Sequence, residues 1–472
     1  MGNCMDTRTT QPYEQPRPAA LQQPWLPHLS SEEPPLEPSD TRHPFWFVLF
    51  VLAVALLFAI TAYRAVAIHQ PGGDHYLYLA HHLARGQLNV DDLPGYYPDY
   101  VDWQGHKYLP FGPLPGVALL PFVSLLPFAF FLPLGLAHDF SWVGHIYSIL
   151  NIWLFWKVLG CAGVIGERRR WALLLFFGGT IYFAHALVSN SWYFAHVITT
   201  TCLLMAMWEA LGKRRPVLMG IFLGLAGLAR FTCLFALPFF LWLLWRGTGT
   251  TTTTPGLVAV STPDRRFPHI IRTGLLLLGV AGPVLLMLLY NHLRFGNPFE
   301  NGYALAVQSG LQPYLATARD TYGVFSLMYI PQNLWYLLFQ GPLSLPFPFP
   351  GQSAIRMEFP YAQPSAWGMG LFFTSPALLY GFRARLTDPL VQACLLGIIF
   401  VLLPLVTYFG IGWVQFGFRY ALDFMPLMVL LAARGLPKPL TNISRALILA
   451  SVAINIWGAL FLMHWQFDVP KI

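Results

Sequence analysis

Apolar residues fall into long runs along the chain, separated by short polar or Gly/Pro-rich breaks. The first clear run, Phe45 to Ile68, is long enough to cross a bilayer, which takes roughly 20 apolar residues. Further runs cover about 114–136, 142–165, 171–190, 193–211, 216–229, 231–246, 274–291, 368–382, 388–409, 419–433 and 446–465. Two long stretches between them, 69–113 and 292–367, are polar, aromatic and rich in Gly and Pro. The second contains an amphipathic stretch, Phe325–Phe339, suited to a membrane surface. Residues 1–43, rich in Pro, Gln, Ser and Glu without an apolar period, form a disordered tail without the features of a signal peptide. Residues 247–273, with the low-complexity Thr250–Thr254 patch, form a linker.

Basic residues decide how many runs cross. They cluster at Arg168–Arg170, at Lys213–Arg215, at Arg246 with Arg265, Arg266 and Arg272, at Arg383 with Arg385, and at Arg434 with Lys438 and Arg445. Cytoplasmic loops of membrane proteins carry the excess of Lys and Arg. All five clusters fall inside only if the 114–136 run, interrupted by Pro115, Pro121, Pro127 and Pro133, fails to cross; a re-entrant or interfacial segment fits there. The expected fold is therefore an all-α polytopic membrane protein with about eleven transmembrane helices, two long outer loops and the N-terminus in the cytoplasm. Its parts are the cytoplasmic tail 1–43, a transmembrane core 44–310 carrying the first outer loop 69–113, the second outer loop 311–367 with a surface helix, and C-terminal transmembrane helices 368–472.

Composition sharpens this. The chain is 56% hydrophobic and only 10% charged, against roughly 25% charge in soluble proteins. A soluble enzyme, a disordered chain and a DNA-binding module are excluded. The net charge of +7 reflects loop placement, and no nucleic-acid partner is expected. The five cysteines form no CxxC pair and no disulfide framework.

In so uncharged a chain, the first outer loop stands out. It holds Asp74, Asp91, Asp92, Asp99 and Asp102, five of the 21 acidic residues, together with His69, His75, His81, His82 and His106. Asp74 begins a short helix with Leu77, Leu79, Ala80 and Leu83 on its apolar face. Its carboxylate either caps that helix or serves as a general base at the membrane surface. The His and Asp residues leave a divalent metal open, but neither HxH nor HExxH spacing occurs and no cofactor is called for. Lys107 and Tyr108, in the Gly/Pro turn that closes the loop, either clamp a phosphate or anchor at the interface. Arg230, between two apolar runs short for full crossings, would sit at the outer apex of a helical hairpin; it either has a function or snorkels. Arg419, in Gln415–Tyr420, either meets an anion or anchors its helix, and Asn291, Arg294 and Asn297 either are structural around a Gly-Pro turn or line the acceptor side.

Taken in order, these residues resemble the GT-C superfamily of membrane glycosyltransferases, with bacterial relatives of the protein O-mannosyltransferases and the lipid A aminoarabinose transferase nearest in pattern. The resemblance lies in an Asp after the first span, the short helix Tyr76–Gly86, the loop end Lys107–Pro113, the Gly220–Arg230 hairpin and Tyr290–Pro298 entering the second loop. It covers about residues 45–310, and the remainder more loosely. It implies transfer of a sugar from a polyprenyl-phosphate carrier to a lipid, glycan or protein acceptor on the outer face of the plasma (inner) membrane, as part of cell-envelope chemistry. By position it implies Asp74 as catalytic carboxylate, Lys107 and Arg230, with Arg419, as binders of donor phosphate, and His75, His82, Tyr108 and His196 as substrate-lining residues. His196 stands where relatives often carry an Asp. Such a displacement needs a base for the acceptor hydroxyl, cations for the leaving phosphate and a groove for the lipid tail, and a single step inverts the anomeric centre. The alternatives are a transporter or flippase of envelope lipids, which would gather ionisable residues near the midplane in paired repeats, and a non-catalytic envelope-assembly protein.

Overall fold

The computed structural model describes residues 43–68, 73–95, 97, 99–124, 140–246, 268–305, 313–344, 362–412 and 415–467. The tail expected over 1–43, apart from His43, lies outside these residues, as do most of the 247–273 linker and parts of the second outer loop. In chain order the helices are α1 (His43–Ile68), α2 (His75–Leu83), α3 (Leu114–Ser124), α4 (Ser141–Cys161), α5 (Gly166–Gly178), α6 (Tyr182–Val188), α7 (Ser191–Leu211), α8 (Pro216–Ala229), α9 (Leu237–Arg246), α10 (His269–Phe295), α11 (Pro313–Tyr322), α12 (Ile330–Leu334), α13 (Leu371–Thr374), α14 (Pro389–Val406), α15 (Met425–Gly435) and α16 (Asn442–Phe467). Between α2 and α3, β1 (Val101–Trp103) pairs antiparallel with β2 (His106–Tyr108). The hairpin turns at Gln104-Gly105, both with positive φ as a tight two-residue turn requires.

Among the described residues, α1, α7, α10, α14 and α16 are long and apolar enough to cross a membrane. The bent pair α5–α6, which turns by 53°, adds a sixth if it is one span. The other apolar runs form shorter pieces, so length and composition alone do not reach the expected eleven. The breaks have local causes. Arg230 adopts an extended backbone after α8 and is followed by a 3₁₀ turn, Phe231–Ala236. The 368–382 run breaks at Ser375-Pro376, where proline removes a helix donor and disfavours the α conformation of the residue before it. The expected surface stretch Phe325–Phe339 is helical over most of its length and exposes Phe325, Leu327, Met328, Trp335 and Phe339, while Asn333 turns inward to Val406 O and Tyr408 O.

Burial is arranged as in a bilayer protein. The outer helices expose aliphatic side chains such as Leu52, Leu56, Leu278, Leu285 and Leu286, while α7, at the centre, is almost wholly buried. Helices α8 and α10 pack side by side on glycine. A Cβ on Gly220 would overlap Leu276 O, one on Gly279 would overlap Val217 O, and one on Gly224 would press on Pro283. The register rises together on both helices, so they run parallel, and small residues let their backbones touch. Gly220→Ala should lower stability by about 1–3 kcal/mol, since a backbone carbonyl cannot rotate away. Gly274→Ala, where a Cβ meets open space, should not; melting of both variants in detergent checks the pair.

Charge is sorted to opposite ends. At one end Arg168 donates to Ala433 O, Arg434 reaches Asp388 and Ala162 O, Arg445 pairs with Glu167, and Arg215 pairs with Glu209. Cys161, at the end of α4, lies in the field of Arg169 and Glu209, and Arg214 in that of Arg272. Asp388 N donates to Arg385 O, and Trp245 to Thr273 beside Arg272. Described members of all five basic clusters thus share one end. Helices α7 and α10 carry the chain roughly 30–40 Å to the other, where Ser191 holds Gly73 O and Arg294 donates to Leu109 O. Leu119 and Val123 of α3 pack in one apolar cluster with Phe140 and Val143 at the start of α4. Both flanks of the 114–136 run therefore lie at the loop end; residues 125–139 are outside the described ones.

Candidate active site

The first turn of the loop is fastened to the start of α7. Ser191 N and Ser191 Oγ both donate to Gly73 O. His75, fully buried, places Nδ1 2.6 Å from the same hydroxyl. That hydroxyl proton is committed to Gly73 O, so the imidazole is the donor. Ser189 and Ser191 take φ of 43° and 28°, a conformation costing non-glycine residues about 1–2 kcal/mol. Asp74 follows this junction. Its carbonyl accepts from Leu77 N and Tyr78 N, and its side chain makes no capping bond to α2. The carboxylate is therefore not used as the helix cap.

Trp192 joins this corner to the cations. Its ring lies 5.4 Å from that of His75, its Nε1 donates to Asp99 Oδ2 at 3.1 Å, and the Arg419 guanidinium stands 5.6 Å above it. Tyr420 faces both Arg419, at 5.2 Å, and Arg230, at 5.3 Å. Tyr303 and Tyr408, whose rings are 6.1 Å apart, lie in the field of Arg419 and Asp99. His75, Arg419 and Arg230 thus belong to one continuous, aromatic-lined region, and Asp74 precedes His75 in the chain.

Arg230 is neither an exposed apex nor a snorkelling residue. Its Nε and Nη2 bind the two oxygens of Asp423 at 2.7 and 3.1 Å, and Thr232 Oγ1 donates to the same carboxylate. His196 Nδ1 comes within 3.2 Å of Asp423 Oδ1 without the alignment of a hydrogen bond. Asp423 is fully buried. It escapes the sequence reading because it lies inside an apolar run; the signal was present, since an acid within such a run is costly unless paired.

Arg419 differs. It is 8% exposed, yet among the described residues it makes no ion pair; its polar side-chain contact is Tyr420 Oη at 3.5 Å, and Nε has no acceptor. Asp423 pairs with Arg230, which leaves Arg419 as the buried cation of the region without an ion pair among the described residues. A desolvated guanidinium is costly unless an anion meets it.

The remaining candidates lie in the body of the loop. Lys107 Nζ donates to Leu93 O at 2.7 Å and faces Tyr100. Tyr108 packs edge-on against Phe295, 5.6 Å away. His82 bridges Asp92, at 2.7 Å, and Gln87, at 3.0 Å. These contacts brace the loop. Arg294, in the last turn of α10, also binds Asn291.

Asp91 adds a pH dependence to that bracing. Desolvation pushes its carboxyl up, but hydrogen bonds from His106, Lys107 N and Asn89 outweigh this and hold it below the ordinary carboxylate range. A depressed folded value contributes stability above the unfolded value and loses it as pH falls through the folded one. The protection of the Lys107 amide, its exchange rate relative to the intrinsic rate at the same pH, should therefore be greatest near neutrality and fall below about pH 4, and Asp91→Asn should remove that acid limb.

Among the described residues no three His, Cys, Asp or Glu side chains group so as to hold a metal ion. The fold and site together define a helical integral membrane protein with a buried cation at one end. No family model and no curated protein matches the chain. A solved structure of the Archaeoglobus fulgidus oligosaccharyltransferase, tethered to an acceptor peptide containing an NVT sequon, is similar to it at 15% identity with a TM-score of 0.41. The similarity covers 91% of this chain and 56% of that one, so the chain spans little more than half the other's length.

Proposed function

We propose that this protein is a membrane glycosyltransferase of the GT-C kind that moves a sugar from a polyprenyl-phosphate donor to a lipid, glycan or protein acceptor. The single observation that carries the reading is Arg419, a buried guanidinium with no acidic partner among the described residues, set in an aromatic-lined region beside Arg230 and one tryptophan from the Asp74 turn. A phosphate leaving group supplies the missing anion. Asp74 acts as general base on the acceptor hydroxyl, Arg419 stabilises the departing phosphate, and Arg230, held by Asp423, presents its remaining donors. Lys107 serves in bracing the loop as well as in drawing anions to it.

The basic clusters at the opposite end support, by the positive-inside rule, a site on the outer face and an N-terminus inside. The placement of the described residues on either side of 125–139 at one end supports the topology of about eleven crossings. A transporter would place its charged groups near the midplane; here they lie at the ends, which favours the enzyme. Purified full-length protein should bind a polyprenyl phosphate, and Arg419→Gln should weaken that binding roughly 10- to 100-fold, the worth of a charge-assisted hydrogen bond. Equal affinity in the variant removes the phosphate assignment.

A further inference from the structure

A second pair of buried arginines lies at the other end of the molecule, far from Arg419. Helices α8 and α10 run parallel, and the Gly220/Leu276 and Gly279/Val217 contacts fix their register. Their N-termini therefore lie side by side at the basic end. Two positive helix ends in contact repel, and proteins usually relieve this with acids in the first turn. Neither helix has one. Each instead places a buried arginine there: Arg214, just before α8, and Arg272, in the first turn of α10, both 7% exposed and each in the other's field.

Neither arginine makes a side-chain ion pair among the described residues, and Arg214 Nε is buried without an acceptor. The acid nearest to Arg214 in sequence, Glu209, is taken by Arg215. Arg214 has a φ of +56° in the turn after α7, where its amide donates to Glu209 O. Beside the pair, Trp245 donates to Thr273 and Arg246 stands 5.3 Å over Trp242. Such a setting of tryptophan and arginine suits the membrane–water boundary.

We infer that Arg214 and Arg272, at the paired N-termini of α8 and α10, form a binding site for a phosphate-type anion, separate from the candidate active site. The anion lies between the two guanidiniums and accepts from them and from the free first-turn amides. It comes from a lipid headgroup or from free phosphate; the chemistry of the site is the same for both. Occupancy would clamp α8 to α10, and α8 ends at Arg230.

Thermal melting of the delipidated full-length protein in neutral detergent tests this, with inorganic phosphate, phosphatidylglycerol or phosphatidylcholine added. Wild-type protein should be stabilised by at least one of the two anions and not by phosphatidylcholine. A rise with inorganic phosphate alone assigns the site to free phosphate; a rise only with phosphatidylglycerol assigns it to a headgroup. Arg214→Gln and Arg272→Gln should each bind the effective anion roughly tenfold more weakly, and Lys213→Gln, exposed on the same loop, should bind it as wild type does. The two glutamine variants should also melt no lower than wild type when no anion is present, because each removes a buried unpaired charge; a merely structural arginine would give the reverse. No stabilisation by either anion, equal loss in Lys213→Gln, or anion-free destabilisation of both variants overturns the site.

Discussion

Asp74→Asn is expected to lower the turnover of sugar transfer by about 10²–10⁴, the usual contribution of a positioned general base. The amide keeps the size of the side chain and loses its basicity. Because the Asp74 side chain makes no capping bond to α2, while its backbone carbonyl carries the first turn, the variant should melt like wild type. Donor binding should change little, since Arg419 lies across Trp192 from this turn. The product should carry the inverted anomeric configuration, as one direct displacement requires. Asp99, held by Trp192 Nε1, is a carboxylate of the region that Arg230 does not engage, so Asp99→Asn is the companion variant. Full activity in Asp74→Asn would remove the proposed mechanism, and its loss in Asp99→Asn alone would move the base there. A non-catalytic assembly protein would tolerate both changes.

Elements written in local pattern were legible in the sequence. The apolar runs gave the helices, and the basic clusters gave a common end because a charge in lipid is costly wherever it falls. The short helix after Asp74 appears as α2, although its buried face is His75, Tyr76, Leu79, Ala80 and His82 rather than Leu77 and Leu83. The β-hairpin Val101–Tyr108 was missed because three-residue strands leave almost no alternation to read.

The site was half legible for a similar reason. Arg230 and Arg419 stood out as cations near apolar sequence, but their difference depends on Asp423, which is 193 residues from Arg230 in the chain. No local pattern tells which arginine is ion-paired and which is not. The same holds for Arg214 and Arg272, which look like ordinary loop cations until the glycine contacts set α8 and α10 in parallel.

The buried pair makes a second large effect. Asp423→Asn leaves Arg230 charged, 17% exposed and without its carboxylate, and also weakens the contacts of Thr232 and His196. Removing one partner of a buried ion pair costs about 3–5 kcal/mol, enough to unfold a marginally stable protein. Arg230→Met should cost a similar amount by stranding Asp423. The double variant Asp423→Leu with Arg230→Met should regain most of the loss, because two apolar side chains leave no charge unpaired. It should not regain transfer, because the donor phosphate then meets Arg419 alone. Melting in detergent and transfer by the same preparations separate the two roles. A stability loss below about 1 kcal/mol in Asp423→Asn, the range of an exposed pair, would show that Arg230 is not held as described. Recovery of both stability and transfer in the double variant would show that the pair is structural and that Arg230 takes no part at the donor site.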